Sequence, residues 1–198
     1  MTAVPPLLAP IYLRRATPNA GPALRSMLAR CSAETLRDRF LATTSTASEV
    51  DELVELVGDM RSVTAVELYV DTVVRSTQHA TVLAWQDDRV LAAGSILPTG
   101  EATAEVALII EDAWQSKGLG SLMVAMLAEV TALTQQEYLC AYLGIGNVRA
   151  RRLITRFCPQ ARWLHPDAGV VDVVIPVAAI SADALDQHKI DSTGRWSR

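Results

Sequence analysis

Two hydrophobic periods alternate along the chain, and their order predicts an α/β fold. Short apolar runs indicate strands at 11–15, 80–85, 90–97, 104–110, 138–143, 161–164 and 170–177. Apolar residues at the spacing of one helix face indicate helices at 23–30, 49–57, 119–133 and 148–157. A further helix is expected after Ser32, which can cap it. The segment 63–75 fits both periods: its valines suit a strand and its charges suit a helix, which we favour.

The segments between these elements set the domain boundaries. Residues 1–10 contain three prolines and are expected to form an extended leader. Residues 181–198 are polar and poorly patterned, so we expect a flexible tail. A single domain is therefore predicted over 11–180, since 198 residues supply one well-buried core more readily than two.

Composition narrows the classes of function. Half of the residues are apolar, and the net charge of −4 leaves no excess of Lys and Arg to neutralise nucleic-acid phosphates. Cys31, Cys140 and Cys158 have no metal-ligand spacing, so we expect buried thiols and no metal. The leader lacks the basic start of a signal peptide, and no apolar run is long enough to span a membrane. These features predict a cytoplasmic protein that binds neither nucleic acid nor membrane.

Two glycines stand where the strand 104–110 gives way to the helix 119–133. The first backbone N–H groups of a helix have no partner within it, and glycine lets an anion approach them closely. A nucleotide-binding P-loop is not predicted, because no lysine follows Gly120. The dinucleotide fingerprint also fails, since Met123 occupies the position of its third glycine.

The order Gln115-x-x-Gly118-x-Gly120, between a strand and a helix, resembles the Gln/Arg-x-x-Gly-x-Gly pyrophosphate loop of the GCN5-related N-acetyltransferases (GNAT). The segment 32–40 is similar to Ser-x-Glu-Ser/Thr-x-x-x-Arg-Phe in the branch that contains the bacterial protein-lysine acetyltransferases. In that segment Arg37 and Arg39 are expected to be solvated. The resemblance implies a mixed, mostly antiparallel central sheet with one splayed strand pair, flanked by helices.

The resemblance also implies which residues bind acetyl-CoA. The pantetheine arm is expected along the edge of one splayed strand, and the diphosphate at the glycine loop. Asn147 matches the asparagine that hydrogen-bonds the pantetheine, although an ordinary helix N-cap explains it equally well. Arg149, Arg152 and Arg156 share one helix side and are either solvated or in contact with a phosphate. The implied cofactor-binding residues are Leu108, Ile109, Ile110, Gln115, Ser116, Lys117, Gly118, Leu119, Gly120, Ser121 and Asn147.

One carboxylate is the candidate general base. Glu105 lies within an apolar strand, and it matches the Ala-Glu-Ile/Val-Ala carboxylate of the protein-lysine branch. Because an unpaired buried charge is expensive, a carboxylate in such a strand suggests a role, unless the strand exposes it to water.

Two positions depart from the family. Ile154 stands where many members carry the tyrosine that protonates the leaving thiolate, and Phe157-Cys158-Pro159 replaces the usual Gly-Phe. We expect Cys158 to be structural, and we assign no role to the three histidines.

The sequence therefore predicts an N-acetyltransferase that moves an acetyl group from acetyl-CoA to an amine, either a protein lysine or a small molecule. An inactive acyl-CoA-binding module is the alternative, and a dinucleotide-binding oxidoreductase is a third hypothesis. A homodimer is left open.

Overall fold

The computed structural model of the protein describes residues 10–40, 63–77, 80–180 and the pair 195–196. The predicted helix at 49–57 and nearly all of the leader lie outside these residues. So does the predicted tail, apart from Arg195–Trp196, which form a short strand against the first strand of the sheet.

Within these ranges the helices and strands follow one another in the order that the periodicity predicts. The helices are α1 (Gly21–Arg30), α2 (Ala33–Phe40), α3 (Val63–Arg75), α4 (Leu119–Ala132) and α5 (Val148–Phe157). The strands are β1 (Ile11–Arg15), β2 (Ala80–Gln86), β3 (Arg89–Pro98), β4 (Thr103–Ile110), β5 (Tyr138–Gly144), β6 (Arg162–Trp163), β7 (Val170–Pro176) and β8 (Arg195–Trp196). The helix expected at 63–75 is confirmed. No described helix is long and apolar enough to cross a membrane.

Local signals explain several of the boundaries. The hydroxyl of Ser32 accepts a hydrogen bond from the Thr35 N–H (3.2 Å), so Ser32 caps α2 as expected. Asp87 has φ 51° in the two-residue connection between β2 and β3, a conformation that suits a tight hairpin. Helix α1 begins two residues before its predicted start, because Pro22 fits its first turn.

The strands form one sheet in the order β6-β7-β5-β4-β3-β2-β1-β8. All neighbouring pairs are antiparallel except β4 and β5, which run parallel. That pair is joined only from Thr103–Glu105 to Tyr138–Cys140, although both strands continue beyond it. The expected mixed, mostly antiparallel sheet with a splayed strand pair is therefore confirmed.

Helices cover both faces of the sheet. On one face α1 and α3 pack their apolar stripes against β2, β3 and Ile109 of β4. On the other face α4 crosses β3 so closely that a Cβ on Gly94 would lie 2.8 Å from a methyl of Leu127. Leu127 also packs with β5, β7 and Cys158, which places α4 and α5 on this second face. The splay between β4 and β5 thus opens in the middle of the sheet, between helices.

Candidate functional site

The separation of β4 from β5 creates a cavity of about 430 Å³. A strand directs half of its N–H and C=O groups to each neighbour, and β4 pairs with β3 from Ala104 to Ile110. Beyond Glu105, the groups that face β5 therefore have no strand partner in the part of the chain that the structure describes. An extended ligand with its own amides can pair with such an edge as another strand would.

Most residues predicted to bind the cofactor line this cavity. Lys117 and Leu119 do not: the Lys117 ammonium lies 5.6 Å from the centre of the Trp114 ring, and Leu119 is buried in the core. The predicted residues that line the cavity are Leu108, Ile109, Ile110, Gln115, Ser116, Gly118, Gly120, Ser121 and Asn147.

The loop that leads into α4 presents main-chain N–H groups to the cavity. Gly118 has φ 92° and Ser116 has φ 56°, so the chain turns through two left-handed residues. The Leu122 N–H donates to the Gly118 carbonyl (3.1 Å), and the amides of 119–121 precede this first helical hydrogen bond. No side chain of the described residues caps α4, and its first turn has no acidic residue. The helix start is consequently suited to an anion.

The side chain of Gln115 is held inside the protein. Its Nε2 donates to the Thr35 hydroxyl (2.9 Å) and to the Ile110 carbonyl (3.0 Å). Thr35 in turn donates to Asp112 (2.9 Å), which also accepts from the hydroxyl and the N–H of Ser32. Burial alone raises the pKa of Asp112, but these hydrogen bonds outweigh it and leave the pKa below its usual value. The network fixes the loop to the start of α2.

Asn147 begins α5. Its Oδ1 accepts a hydrogen bond from the Ala150 N–H (2.9 Å), as an N-cap does, and the residue also lines the cavity. The N-cap interpretation is therefore correct, and it leaves room for a contact with a ligand as well.

Glu105 lies at the point where β4 and β5 separate. Its side chain is half-buried, and burial raises the pKa of its carboxyl, while the charge of Arg39 lowers it. No described residue donates a hydrogen bond to this carboxylate or pairs with it. Glu105 lines the large cavity and also a second one of about 250 Å³ on the α3 side of the sheet. A base at this position can reach a group that enters from the second cavity.

Arg39 corrects the sequence-based expectation that it is solvated. It is 9% exposed, and its guanidinium lies 5.4 Å from the ring centre of Phe40 and 5.2 Å from that of Tyr69. It lines both cavities together with Glu105 and Ala107. The apolar spacing of α2 pointed to Leu36 and Phe40, and no local signal showed that Arg39 also turns inward.

Solved structures with the same architecture cover most of the chain. The GNAT domain of PAT from S. lividans is 17% identical, with a TM-score of 0.62 over 83% of this chain and 89% of that one. PaiA N-acetyltransferase from Thermoplasma acidophilum, in complex with coenzyme A, is 10% identical, with a TM-score of 0.59 over 84% and 98%. Spermidine N-acetyltransferase from Vibrio cholerae, in complex with CoA and spermine, is 12% identical, with a TM-score of 0.55 over 85% and 96%.

The chain has the GNAT fold. No protein-family model matches it. At these identities the likeness concerns the fold, so any activity has to be argued from the chain's own residues.

Around the GNAT cleft, three arginines of α5 differ in their surroundings. Arg149 pairs with Glu34 (2.7 Å) and approaches Asp38 (3.9 Å), and so links α5 to α2. Arg152 and Arg156 also line the cleft. Arg149 therefore joins two helices, and all three arginines line the cavity, while their contact with a phosphate stays a prediction.

Cys158 is buried in the wall of the cleft, and burial raises the pKa of its thiol, in agreement with a structural cysteine. Ile154 also lines the cleft, at the position where many GNAT members carry a tyrosine. Among the described residues no cluster of His, Cys, Asp and Glu could hold a metal ion.

Ion pairs that no pattern in the sequence indicated hold the end of β4 in this GNAT fold. The carboxylate of Glu111 is 5% exposed and accepts hydrogen bonds from Arg30 (2.8 Å) and Arg89 (3.1 Å). Glu111 follows directly after the cleft-lining strand, so these pairs hold the strand end in place.

Proposed function

We propose that the chain is an N-acetyltransferase of the GCN5-related superfamily, which transfers the acetyl group of acetyl-CoA to a primary amine by direct attack. The observation that carries this proposal is the break in pairing between β4 and β5. It leaves a free strand edge between a helix start suited to a diphosphate and a half-buried carboxylate.

The residues present fit acetyl-CoA. The open edge of β4 beyond Glu105 would pair with the amides of the pantetheine arm. The main-chain N–H groups from Gly118 to Ser121 would bind the diphosphate. Asn147 keeps its cap and can still donate from its amide nitrogen toward the cleft.

Glu105 is the proposed general base. A lysine-like amine has a pKa of about 10.4, so it must lose a proton before it can attack. Glu105 accepts that proton, directly or through a water molecule. The nitrogen then forms a bond to the thioester carbonyl carbon, and a β4 N–H stabilises the negative oxygen. When the carbon–sulfur bond breaks, the CoA thiolate leaves and takes up the proton that the attached nitrogen loses as it becomes an amide; the thiol-like pKa of about 8.5 lets CoA leave without a strong acid.

Ile154 in place of a tyrosine supports a second candidate, a protein that binds acyl-CoA and transfers nothing. Titration calorimetry with acetyl-CoA, followed by an acetylation screen over amines and lysine peptides, separates the two. Micromolar binding with transfer to at least one amine supports the enzyme. Binding without transfer supports the module, and absence of binding refutes both. A melting temperature raised by NAD(P) and not by acetyl-CoA would favour an oxidoreductase instead.

A further inference from the structure

The last turn of α2 contains a buried guanidinium with two nitrogens that are not hydrogen-bonded within the described part of the chain. Nε and Nη1 of Arg39 have no accessible surface and no hydrogen bond among the described residues. No carboxylate of those residues lies within ion-pair distance of it. Burying a charge without a partner is strongly unfavourable, and such a group needs a physical explanation.

Two aromatic rings hold this guanidinium in place but do not accept strong hydrogen bonds from its N–H groups. Phe40 and Tyr69 meet edge to face, with ring centres 5.2 Å apart, and Arg39 packs against both. Rings attract the charge but accept its N–H donors only weakly. The side chain is thus positioned while Nε and Nη1 make no hydrogen bond to the residues that the structure describes.

Arg39 and Glu105 together line the 250 Å³ cavity on the α3 side. Two other polar groups of this cavity are engaged within the protein: the Ser95 hydroxyl bonds to a neighbouring strand (3.1 Å), and the Thr72 hydroxyl donates to its own helix (2.8 Å). Among its described residues the cavity therefore offers one carboxylate and one guanidinium, with the Tyr69 side chain beside them. A ligand with a cation and an anion a few bonds apart complements this pair.

We infer that the acceptor is a small amine with a carboxylate close to its amino group, as in an amino acid, and that Arg39 binds this carboxylate. The inference rests on the proposed function, in which Glu105 takes the proton of the amine. A guanidinium can donate two parallel hydrogen bonds to the two oxygens of a carboxylate. Water screens the charge of Arg39 poorly, because two of its nitrogens are inaccessible to solvent. A protein lysine has no anion near its amine, so it would leave Arg39 unpaired and add a second cation.

The test compares matched acceptors and matched variants. Alanine, methionine and phenylalanine are each paired with their carboxamide and with the amine that lacks the carboxyl group, and a lysine peptide completes the set. Binding to CoA-saturated protein is measured by saturation-transfer NMR, and acetyl transfer by CoA release. The variants are Arg39→Met and Arg39→Lys, with Arg37→Met as the control, because Arg37 is exposed on the same helix.

For the parent and for Arg37→Met we expect a preference of about tenfold or more for carboxylated acceptors, the size of one hydrogen bond to a charged group. Arg39→Met should reduce this preference to about one, and Arg39→Lys should keep part of it. Arg39→Met should also melt no lower than the parent, because it removes an unpaired buried charge.

Three results would overturn the inference: equal or better use of the carboxyl-free amines or the lysine peptide, an unchanged preference in Arg39→Met, or no binding of any carboxylated amine. Titration with acetyl-CoA is measured separately. If acetyl-CoA binds and a lysine peptide is acetylated, the proposed function stands while this inference fails. If acetyl-CoA does not bind, the proposed function fails.

Discussion

Replacing Glu105 by glutamine removes the proposed base while keeping the length of the side chain. The change lies where β4 and β5 separate and not at the diphosphate loop, so the affinity for CoA should stay close to that of the parent. Among the described residues no hydrogen bond to the Glu105 carboxylate is lost. The effect should therefore appear in the transfer rate.

The expected loss of rate depends on the fraction of the acceptor amine that is neutral. For a lysine-like acceptor with a pKa of about 10.4, only about one amine in 2,500 is neutral at pH 7; for an α-amino group with a pKa of about 8, the neutral fraction is about one in ten, and the loss of rate should lie at the lower end of the range below. Without a base, attack depends on this fraction, so Glu105→Gln should lower kcat by about 10²–10⁴-fold, the range typical of general-base catalysis. Each unit of pH should restore the rate of the variant about tenfold until the amine itself titrates.

The pH profile of the parent should differ. Burial raises the pKa of Glu105 above its ordinary value of 4.5, and only the charge of Arg39 opposes this shift. The kcat/KM of the parent should therefore fall as the pH drops through this raised pKa and level off above it. The assay is initial-rate CoA release from pH 5 to 9.5, with exposed Glu101→Gln as the control. A Glu105→Gln variant with the rate and pH profile of the parent would refute the assignment.

Stability gives an independent check of the same carboxylate. Because its pKa is raised in the folded state, Glu105 contributes stability below its unfolded pKa and loses that contribution as the pH rises through the folded pKa. Glu105→Gln should therefore melt at the same or a higher temperature than the parent at pH 7, with the difference shrinking toward pH 4. A clear drop in melting temperature at pH 7 would indicate that the carboxylate is structural.

Three further variants test the loop, the strand end and the cap. Gly118→Ala forces a Cβ into a left-handed residue (φ 92°) at a cost of about 1–2 kcal/mol, and it should weaken CoA binding in a titration. Gly144→Ala, whose Cβ would meet nothing within 4 Å, should not. Arg30→Met leaves buried Glu111 with only its more exposed partner, and it should lower the free energy of unfolding in urea by about 1–3 kcal/mol; no change would contradict that role. Asn147→Ala should destabilise the fold by about 1 kcal/mol, and Asn147→Asp should restore the melting temperature through its cap; equal losses in both would argue against the cap.

Much of the site could be predicted because its parts are encoded locally. The left-handed Gly118, the capping amide of Asn147 and the apolar strand around Glu105 each depend on neighbours within a few residues. Even the ambiguous segment Val63–Arg75 was resolved correctly as a helix from its own charges.

The sequence did not show which residues a given side chain contacts. Gln115 matched the diphosphate loop in sequence, but its amide is bound to Thr35, a residue 80 positions away. The pairs of Glu111 with Arg30 and Arg89 likewise join segments that are distant in the chain. Such contacts depend on how elements pack, which periodicity does not specify.

The sequence alone determined the order of helices and strands, the glycine turn and the carboxylate on the central strand, because backbone preference and hydrophobic period act over short distances. The tertiary structure decided that β4 and β5 separate after Glu105, and that Arg39 is buried opposite that carboxylate. Both depend on contacts between segments that are distant in the sequence. The packing of helices on the two faces of the sheet determines which groups lie next to the open edge of β4 and next to Arg39.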